Sequence, residues 1–582
     1  MSGQPSVDPR VLAALLALGA LCALTPPSSS AAATRCLRSE LDIYEQQIRP
    51  LPLAEMAPAH EVGSPMAPPL DPDVGDSWLW YTWKLAGFPV AEQKLCTVRG
   101  EGENVYIVVE DSQWLTQVDQ EDIDRMLLMW DETSLGAWPD KGIHQLDTEN
   151  FGPVPDALDG DPKVYVLYYD FDVSADGFFW AFDQFPDGSQ DFASNECETL
   201  YMNSSTFDPG GDYLISVQAH EFQHMIHWLA DANEIAWVNE GCSELAMWLF
   251  GHPDDVVQFP GNPDNSLTAW NSVFADYVKT YLYFLYLYEH FGGQATILDL
   301  VSQPGNSNLG VQAALTAQGF SETFATVVRD WTIANYLDEP GLEGGIYDYA
   351  GEDLPPFNGV TKSTYPVVPT NATVNHYAAD YIRLTNGQPQ RLFFDGGDTS
   401  DWSARVIRYQ AGVPLSVEAI PLDAADAGFI DLPGFGSTFD QVVLVVSNIS
   451  TSGVTTYQYS TGGVPTSAPD GPATGVLSLS LSLQGPNPFT NSTTISLVSG
   501  GERGAGGELV QARPAEVAIW NANGRLVRVL GTTSGHAGRR VLEWDGCDAQ
   551  GRAVPSGVYF AHAVDGAGSS AGHGSLRLVL AR

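Results

Sequence analysis

Residues 214–231 read LISVQAHEFQHMIHWLAD and contain an HExxH motif at His220-Glu221-Phe222-Gln223-His224. The stretch is helical in character, and at about 100° per residue His220 and His224 lie about 40° apart on one face. Both imidazoles can therefore reach one metal ion, at about 2.0 Å from each ring nitrogen. Glu221 lies beside that face and can take a proton from metal-bound water. The motif predicts a zinc site, with a packed or solvated histidine pair as the alternative.

A zinc site of this kind needs a third protein ligand. In the metzincin pattern a glycine and a histidine follow the second histidine after three and six positions, but those positions hold His227 and Ala230. That pattern is therefore excluded. The alternative is a glutamate from the next helix, and residues 237–244 read WVNEGCSE, which offers Glu240 and Glu244.

These two segments resemble the gluzincins, the HExxH metallopeptidases whose third ligand is the glutamate of an N-E motif. The resemblance implies that Glu240 is the third ligand. It also places Glu244 where relatives hold a carboxylate that hydrogen-bonds a zinc histidine and fixes its tautomer. Glu244 as the ligand is the rival assignment. The interval of 240 − 224 = 16 positions is a few shorter than in the thermolysin and aminopeptidase branches, so we expect a tighter turn between the helices.

The oxyanion formed during peptide hydrolysis needs a hydrogen-bond donor opposite Glu221. In the aminopeptidase branch this donor is the tyrosine of a Y-x-K-G segment, and the chain has Tyr277-Val278-Lys279-Thr280. The resemblance implies Tyr277 as the second catalytic residue, although Thr280 departs from the pattern and other tyrosines follow closely. His227 shares the face of the motif histidines and is interpreted as a buried histidine with a hydrogen-bond partner. The sequences AHEFQHMIHW and WVNEGCSELA most resemble hyicolysin-type and immune-inhibitor-A-like secreted bacterial peptidases, over about residues 160–340.

Composition narrows the class of partner. The 582-residue chain has 26 Lys and Arg against 72 Asp and Glu, which gives a formal charge of −46. That charge argues against nucleic acid, which is bound through clustered basic residues, and against anionic lipid. Hydrophobic residues make up 44% of the chain and charged residues 17%, so a folded protein is expected rather than a disordered one.

The first residues have the features of an export signal. Arg10 precedes the apolar run 11–24, which is too short to span a bilayer, and a small-residue stretch ends at Ala33. We therefore expect a signal peptide over residues 1–33, a secreted or cell-surface protein, and no transmembrane segment once the signal is removed. Export also permits disulfides. Cys197 and Cys242 flank the motif residues and are the preferred pair.

Periodicity predicts a multidomain chain, in which an α+β zincin catalytic domain is followed by two all-β sandwich modules. The expected boundaries are 1–33 for the signal peptide, 34–99 for a leader or propeptide and N-terminal segment, 100–345 for the catalytic domain, 370–464 for a β-sandwich, and 475–582 for a C-terminal module.

The C-terminal module has its own motifs. It contains GPNPF at 485–489, IWNANG at 519–524, WDGCD at 544–548 and GVYF at 557–560. This order resembles the Ig-like module of the flagellar hook-capping type and the sorting domains of type IX secretion. The resemblance implies a handle that engages secretion machinery or the cell surface. A structural spacer is the alternative.

An acidic segment suggests a second cofactor. Calcium prefers oxygen ligands, and five aspartates crowd one turn-rich stretch, although solvated carboxylates without bound calcium are the alternative interpretation. They are Asp170, Asp172, Asp176, Asp183 and Asp187.

Taken together, these features predict a secreted zinc endopeptidase that acts on proteins or peptides, with Glu221 as general base. One alternative is a zinc aminopeptidase, although no G-x-M-E-N-type segment for the substrate amine is visible. The other is a surface adhesin whose zincin domain is inactive.

Overall fold

The computed structural model describes most of the chain between residue 71 and the C-terminus. The described residues are 36–37, 41, 68–69, 71–156, 158–190, 192–463, 479–483, 485–499, 515–521, 525–530, 538–565 and 570–582. The predicted signal peptide, residues 1–33, lies outside them. Within the described residues, no helix is both long enough and apolar enough to cross a bilayer.

A six-stranded mixed sheet forms the centre of the N-terminal half. Its strands are β1 Ser77–Lys84, β2 Val90–Glu101, β3 Val105–Glu110, β4 Val164–Tyr169, β5 Gly177–Phe179 and β6 Thr199–Asn203. They lie in the order β1-β2-β3-β4-β6-β5, so β5 is an edge strand. The strands β3, β4 and β6 run parallel, and the others pair antiparallel.

The sheet separates two hydrophobic cores. Along β4, Val164, Val166 and Tyr168 face one core, and the alternate residues face the other. A strand buried on both faces has no polar alternation, which explains the uninterrupted run of apolar and aromatic residues VYVLYY in β4.

Eight α-helices occur in the described residues. They are α1 Gln120–Asp131, α2 Ile143–Phe151, α3 Asp212–Ala230, α4 Ala236–Phe250, α5 Phe274–His290, α6 Gln294–Val301, α7 Asn308–Ala317 and α8 Phe324–Leu337. The motif helix α3 is buried without interruption from Leu214 to His227. A helix that is buried on all sides needs no polar face, so the residues of the HExxH motif in it are shielded from water.

The first sheet extends to the N-terminal side of residue 100, where the catalytic domain was expected to begin. Residue 100 lies inside β2, which pairs with β1 on one side and β3 on the other. The sheet therefore begins at Ser77, and the aromatic residues of β1, including Trp80 and Trp83, belong to its core.

Eight further strands form a sandwich after the helices. They are β8 Thr370–Asn375, β9 Ala378–Thr385, β10 Gln390–Gly396, β11 Trp402–Gln410, β12 Val413–Ala419, β13 Ala427–Leu432, β14 Gln441–Asn448 and β15 Val454–Gly462. One sheet has the order β13-β10-β15-β8, and the other has β12-β11-β14-β9 with the short strand β7 Val360–Lys362 at its edge.

The second of these sheets packs on the helical part of the molecule. Its outward residues Tyr381, Val443 and Val445 belong to the same core as the helices. Tyr381 donates a hydrogen bond to the carbonyl of Thr332 in α8 at 2.6 Å. The sandwich is thus part of a continuous packed body with the helices, which the strand pattern did not predict.

The C-terminal strands form two small sheets. The strands are β16 Leu479–Leu483, β17 Thr493–Ser499, β18 Ala515–Asn521, β19 Leu526–Leu530, β20 Gly538–Trp544, β21 Gly557–Asp565 and β22 Ser570–Leu580. They lie in the orders β16-β17-β20 and β19-β18-β21-β22. The strands β18 and β19 pair antiparallel.

The predicted Cys197–Cys242 disulfide is not formed, and no disulfide joins any of the five described cysteines. Cys197 lies in the core on one face of the first sheet, and Cys242 lies with the helices in the core on the other face. Proximity to the motif in sequence did not bring them together, because the sheet lies between them.

Candidate metal centre

The HExxH residues project from α3 as helix geometry requires. His220 and His224, one turn apart, have their Nε2 atoms 3.2 Å from each other. Both side chains are fully buried. The two imidazoles therefore present one nitrogen each to a common point.

Glu240 comes to the same point from α4. One carboxylate oxygen, Oε2, lies 3.3 Å from Nε2 of His220 and 3.6 Å from Nε2 of His224. Burial by itself would raise the pKa of Glu240, but the two histidines lower it to about 2. The structure thus brings together the three residues that the sequence predicts as metal ligands.

The surroundings of Glu240 fit a cation. Among the described residues, no donor reaches either oxygen of this buried carboxylate with hydrogen-bond geometry. A buried carboxylate without donors is costly unless an opposite charge compensates it. Ligand atoms of a tetrahedral site with bonds of about 2.1 Å lie about 3.4 Å apart. The three Nε2 and Oε2 separations of 3.2, 3.3 and 3.6 Å agree with that spacing.

The second ring nitrogen of each histidine, Nδ1, contacts a side chain of α4. His224 Nδ1 lies 2.9 Å from Oδ1 of Asn239, and an amide oxygen can only accept, so the proton sits on Nδ1 and Nε2 is left with its lone pair. His220 Nδ1 lies 3.3 Å from Oε1 of Glu244. Glu244 therefore lies on the side of His220 away from Glu240, in the supporting position that the resemblance implies. The role of Asn239 was not predicted, although it directly precedes Glu240 in the quoted segment.

Glu221 lies against the edge of the first sheet. Gly177, the first residue of β5, approaches it so closely that a Cβ there would lie 3.0 Å from Glu221 Cγ and 3.1 Å from its Oε1. The absence of a side chain at residue 177 leaves room for the carboxylate. No feature of the sequence marked this glycine, because its partner is 44 residues away.

Tyr277 reaches the site from α5. Its side chain is 3% exposed and packs edge-on against Trp270. Its hydroxyl donates to a backbone carbonyl, that of Cys36, at 3.3 Å. Burial, and then the carboxylate of Glu240, raise the pKa of Tyr277 well above its ordinary value, so the hydroxyl stays protonated as a donor.

Cys36 joins the site, which the sequence did not predict. Its Sγ lies 3.4 Å from Nε2 of His224 and 3.5 Å from Oε2 of Glu221. Within the described residues, the only group with metal-ligand spacing consists of Cys36, His220, His224 and Glu240. The sequence places this cysteine in the expected leader or propeptide, residues 34–99.

Two further polar residues lie near the motif. His227 is buried, and its Nδ1 lies 3.3 Å from Nε2 of Gln223, so it has the hydrogen-bond partner expected of a packed histidine. Asp147 of α2 is fully buried within electrostatic reach of His220, and burial raises its pKa well above its ordinary value. Asp147 was not predicted, because nothing in the local sequence distinguishes it from a surface aspartate.

The acidic segment does not gather into one site. Asp170 accepts from Ser205, Asp172 from the backbone of Leu85, and Asp176 from Tyr213. Asp183 accepts from Tyr201 at 2.5 Å, and Asp187 from the backbone of Ser194. Each carboxylate therefore has its own protein partner, and the calcium hypothesis gains no support from the described residues.

Comparison with known proteins identifies the C-terminal region. Residues 492–568 match the family model described as the FlgD Ig-like domain. This region contains the hairpin β18–β19 and much of the two small sheets. The Ig-like character predicted for the C-terminal module is confirmed.

Two solved structures show limited similarity. One is the dimeric latent PorU from Porphyromonas gingivalis, at 18% identity and a TM-score of 0.14, covering 38% of this chain and 19% of that one. The other is a Bacteroides uniformis beta-glucuronidase 2, at 11% identity and a TM-score of 0.13, covering 37% of this chain and 26% of that one. The chain thus spans about a fifth to a quarter of their lengths. No curated protein matches it.

Proposed function

We propose that the protein is a secreted zinc-dependent endopeptidase of the gluzincin type. The observation that supports this most directly is the convergence of His220, His224 and Glu240 within 3.6 Å, with Glu221 beside them. Two imidazoles and one carboxylate form the donor set of a catalytic zinc site, which keeps a further position open for water or substrate.

Each residue has a distinct task in this proposal. A bound zinc ion would polarise the scissile carbonyl and lower the pKa of water. Glu221 takes the proton from the attacking water and delivers it to the leaving amine. Tyr277 donates its hydroxyl to the carbonyl oxygen as negative charge develops there. Asn239 and Glu244 hold the two histidines in the orientation that binding needs.

The deciding experiment compares the full-length chain with its Glu221→Gln variant. We expect about one zinc per chain in both proteins, because Glu221 is not a ligand. Chelator-sensitive cleavage of an unstructured protein such as casein should fall by a factor of about 100 or more in the variant, since general-base catalysis contributes about that much. Glu121→Gln, an exposed position in α1, is the matched control and should keep full activity.

The same assay separates the alternatives. Internal cleavage of casein supports an endopeptidase, whereas release of N-terminal residues alone would indicate an aminopeptidase. Stoichiometric zinc without any cleavage, both by the full-length chain and by its Cys36→Ser variant, would support the inactive-adhesin alternative. If zinc were bound and Glu221→Gln kept full activity, the proposed mechanism would be wrong.

For the C-terminal module we propose an attachment or sorting role. The match to an Ig-like domain supports a compact module, and no described residue of it enters the metal centre. The proposal predicts that deleting residues 475–582 abolishes delivery of the protein to the cell surface in a bacterium with type IX secretion. Unchanged delivery would favour a structural spacer.

A further inference from the structure

Three contacts place the backbone and side chain of one N-terminal residue inside the metal centre. Cys36 lies 185 positions before Glu221 in the sequence, yet its Sγ lies within 3.5 Å of both His224 and Glu221. Its side chain is 2% exposed. The question is what a thiol does at this position.

The sulfur lies where a catalytic water would have to lie. A general base must be within hydrogen-bond reach of the water it deprotonates, and that water must also be in reach of the metal. Cys36 Sγ is on the Glu221 side of the His220–His224–Glu240 group and close to His224. Thiolate sulfur is a preferred zinc ligand, with a bond of about 2.3 Å, so it would compete strongly with water.

The Cys36 backbone occupies two more parts of the cleft. Residue 36 forms a parallel bridge with Gly177 on the edge strand β5. The edge of a sheet is where an extended peptide can add as a further strand. The carbonyl of Cys36 also accepts the hydrogen bond from Tyr277, the proposed oxyanion donor.

Apolar contacts hold this segment in place. Leu37 and Leu41 are buried, at 3% exposure each, in the core that includes Trp80 and Phe178. The backbone N–H of Leu41 donates to the carbonyl of Leu37 at 2.9 Å. The two buried leucines anchor Cys36 and limit its departure from the site.

The geometry points to a latent form of the enzyme, in which the Cys36 thiolate is the fourth metal ligand and its segment blocks the substrate edge. This inference rests on the proposed function. It assigns an inhibitory role to Cys36, Leu37 and Leu41, whose release from the site creates the active enzyme. The three blocked positions are those of the water, the substrate strand and the oxyanion donor.

The test uses full-length protein loaded with Co²⁺, and compares the wild type with Cys36→Ser. A cobalt–thiolate bond gives an intense sulfur-to-metal charge-transfer band in the near ultraviolet. We expect the band in the wild type and its loss in Cys36→Ser. Cys547→Ser is the matched control, because Cys547 lies in the C-terminal module, and it should keep the band.

The zinc-loaded forms provide a second measurement. We expect Cys36→Ser to cleave casein at least about tenfold faster than the wild type, which corresponds to a preference of about 1.4 kcal/mol for the latent state. Leu41→Glu removes an anchor without touching the metal ligands, and should also raise the rate and weaken the band. This second variant keeps the test valid if Cys36→Ser does not fold.

The outcomes separate the two proposals. Absence of the band from a cobalt-loaded wild type, or its persistence in Cys36→Ser, would overturn the Cys36 assignment and leave the proposed peptidase untouched. If the band is present but neither the wild type nor Cys36→Ser nor Leu41→Glu cleaves casein, the proposed peptidase activity and the latent state are both wrong. Cys36 would then still stand as a metal ligand. Equal activity of wild type and both variants would refute latency alone.

Discussion

At the scale of single residues, the proposed metal centre depends on the side chains that hydrogen-bond its candidate ligands. The proton on Nδ1 of His224 is fixed by Asn239, whose side chain is buried with only 4% exposed. A histidine held in this tautomer offers its Nε2 lone pair to the metal without a change in protonation. In the proposed zinc site, the N-E-G sequence therefore supplies one ligand, Glu240, and through Asn239 the orientation of a second ligand, His224.

We predict that Asn239→Ala weakens zinc binding by about 10- to 100-fold, the usual effect of losing such an outer partner. Ser243, whose Oγ lies 3.1 Å from the same nitrogen, keeps part of the orientation, so some binding remains. Competition with a chromogenic chelator measures the affinity. Asn233→Ala, an exposed position just before α4, is the control and should bind zinc like the wild type. Equal affinities of both variants would contradict the assigned role.

At the scale of elements, the position of Glu240 depends on how closely α4 approaches α5. A Cβ on Gly241 would lie 2.3 Å from Cδ2 of Phe284 and 3.1 Å from Cβ of Thr280. Phe284 is fully buried among the aromatic rings of α5 and Trp237, so its ring cannot move aside. The glycine after Glu240 is thus required by helix packing rather than by backbone conformation.

We predict that Gly241→Ala destabilises the fold by about 1–3 kcal/mol, as overpacking of a core does. The helix propensity of alanine opposes this by about 1 kcal/mol, but the clash is with a ring that has no free space. The displaced α4 should also lower zinc stoichiometry. Thermal unfolding and metal analysis measure both effects. Gly261→Ala is the control, because a Cβ there would meet nothing within 4 Å; similar losses in both variants would rule out the packing explanation.

At the scale of the whole molecule, the sandwich and the helices share one core. Tyr381 on β9 donates to the carbonyl of Thr332, and its ring packs 4.7 Å from that of Tyr336. Thr332 and Ser447 add a hydroxyl pair at 2.7 Å across the same interface. The sandwich therefore supports α8, which in turn packs against α5 through the rings of Phe324 and Trp331 on Tyr283.

We predict that Tyr381→Ala lowers the stability of the helical part and of the sandwich together, by about 3–5 kcal/mol, the usual cost of deleting a buried aromatic ring. Calorimetry should show the thermal unfolding transitions of both parts moving together to a lower temperature. Phe393→Ala, which removes a ring that is 38% exposed on β10, should shift it far less. A shift of the sandwich transition alone would mean that the interface carries no stability.

At the scale of the whole molecule, stability also depends on two buried carboxyl groups. Asp159 and Glu198 are 3% and 1% exposed and lie before the neighbouring strands β4 and β6. Burial raises the pKa of Asp159 to about 7, and burial and then Asp159 raise that of Glu198. The folded state therefore holds protons that the unfolded chain releases near pH 4. Because it binds more protons in this window, stability falls as the pH rises toward 7 and above.

We predict that Asp159→Asn raises the free energy of unfolding by about 2 kcal/mol or more at pH 8, and by less at pH 5. The amide keeps the shape of the side chain and removes the charge that burial penalises. Chemical denaturation at the two pH values measures the difference. Asp140→Asn, at an exposed position, should show no such dependence on pH. If the free energy of unfolding rose equally at pH 5 and pH 8, the effect would not come from the protonation of Asp159.

The features that the sequence predicted are those set by local geometry. An interval of four residues places two histidines on one helical face. Glu240 and its supporting Glu244 were predicted from the resemblance of the WVNEGCSE segment to the gluzincins, and the Ig-like character of the C-terminal module from the order of its own motifs. In each case a short stretch of sequence was sufficient for the prediction.

Contacts between residues that are far apart in the sequence were decided only by the tertiary structure. It placed Cys36 in the metal centre across 185 positions, brought Gly177 against Glu221, and set a sheet between Cys197 and Cys242. It also joined the sandwich to α8. Such contacts arise from the packing of whole elements, and the periodicity of a segment carries no information about which other segment will cover it.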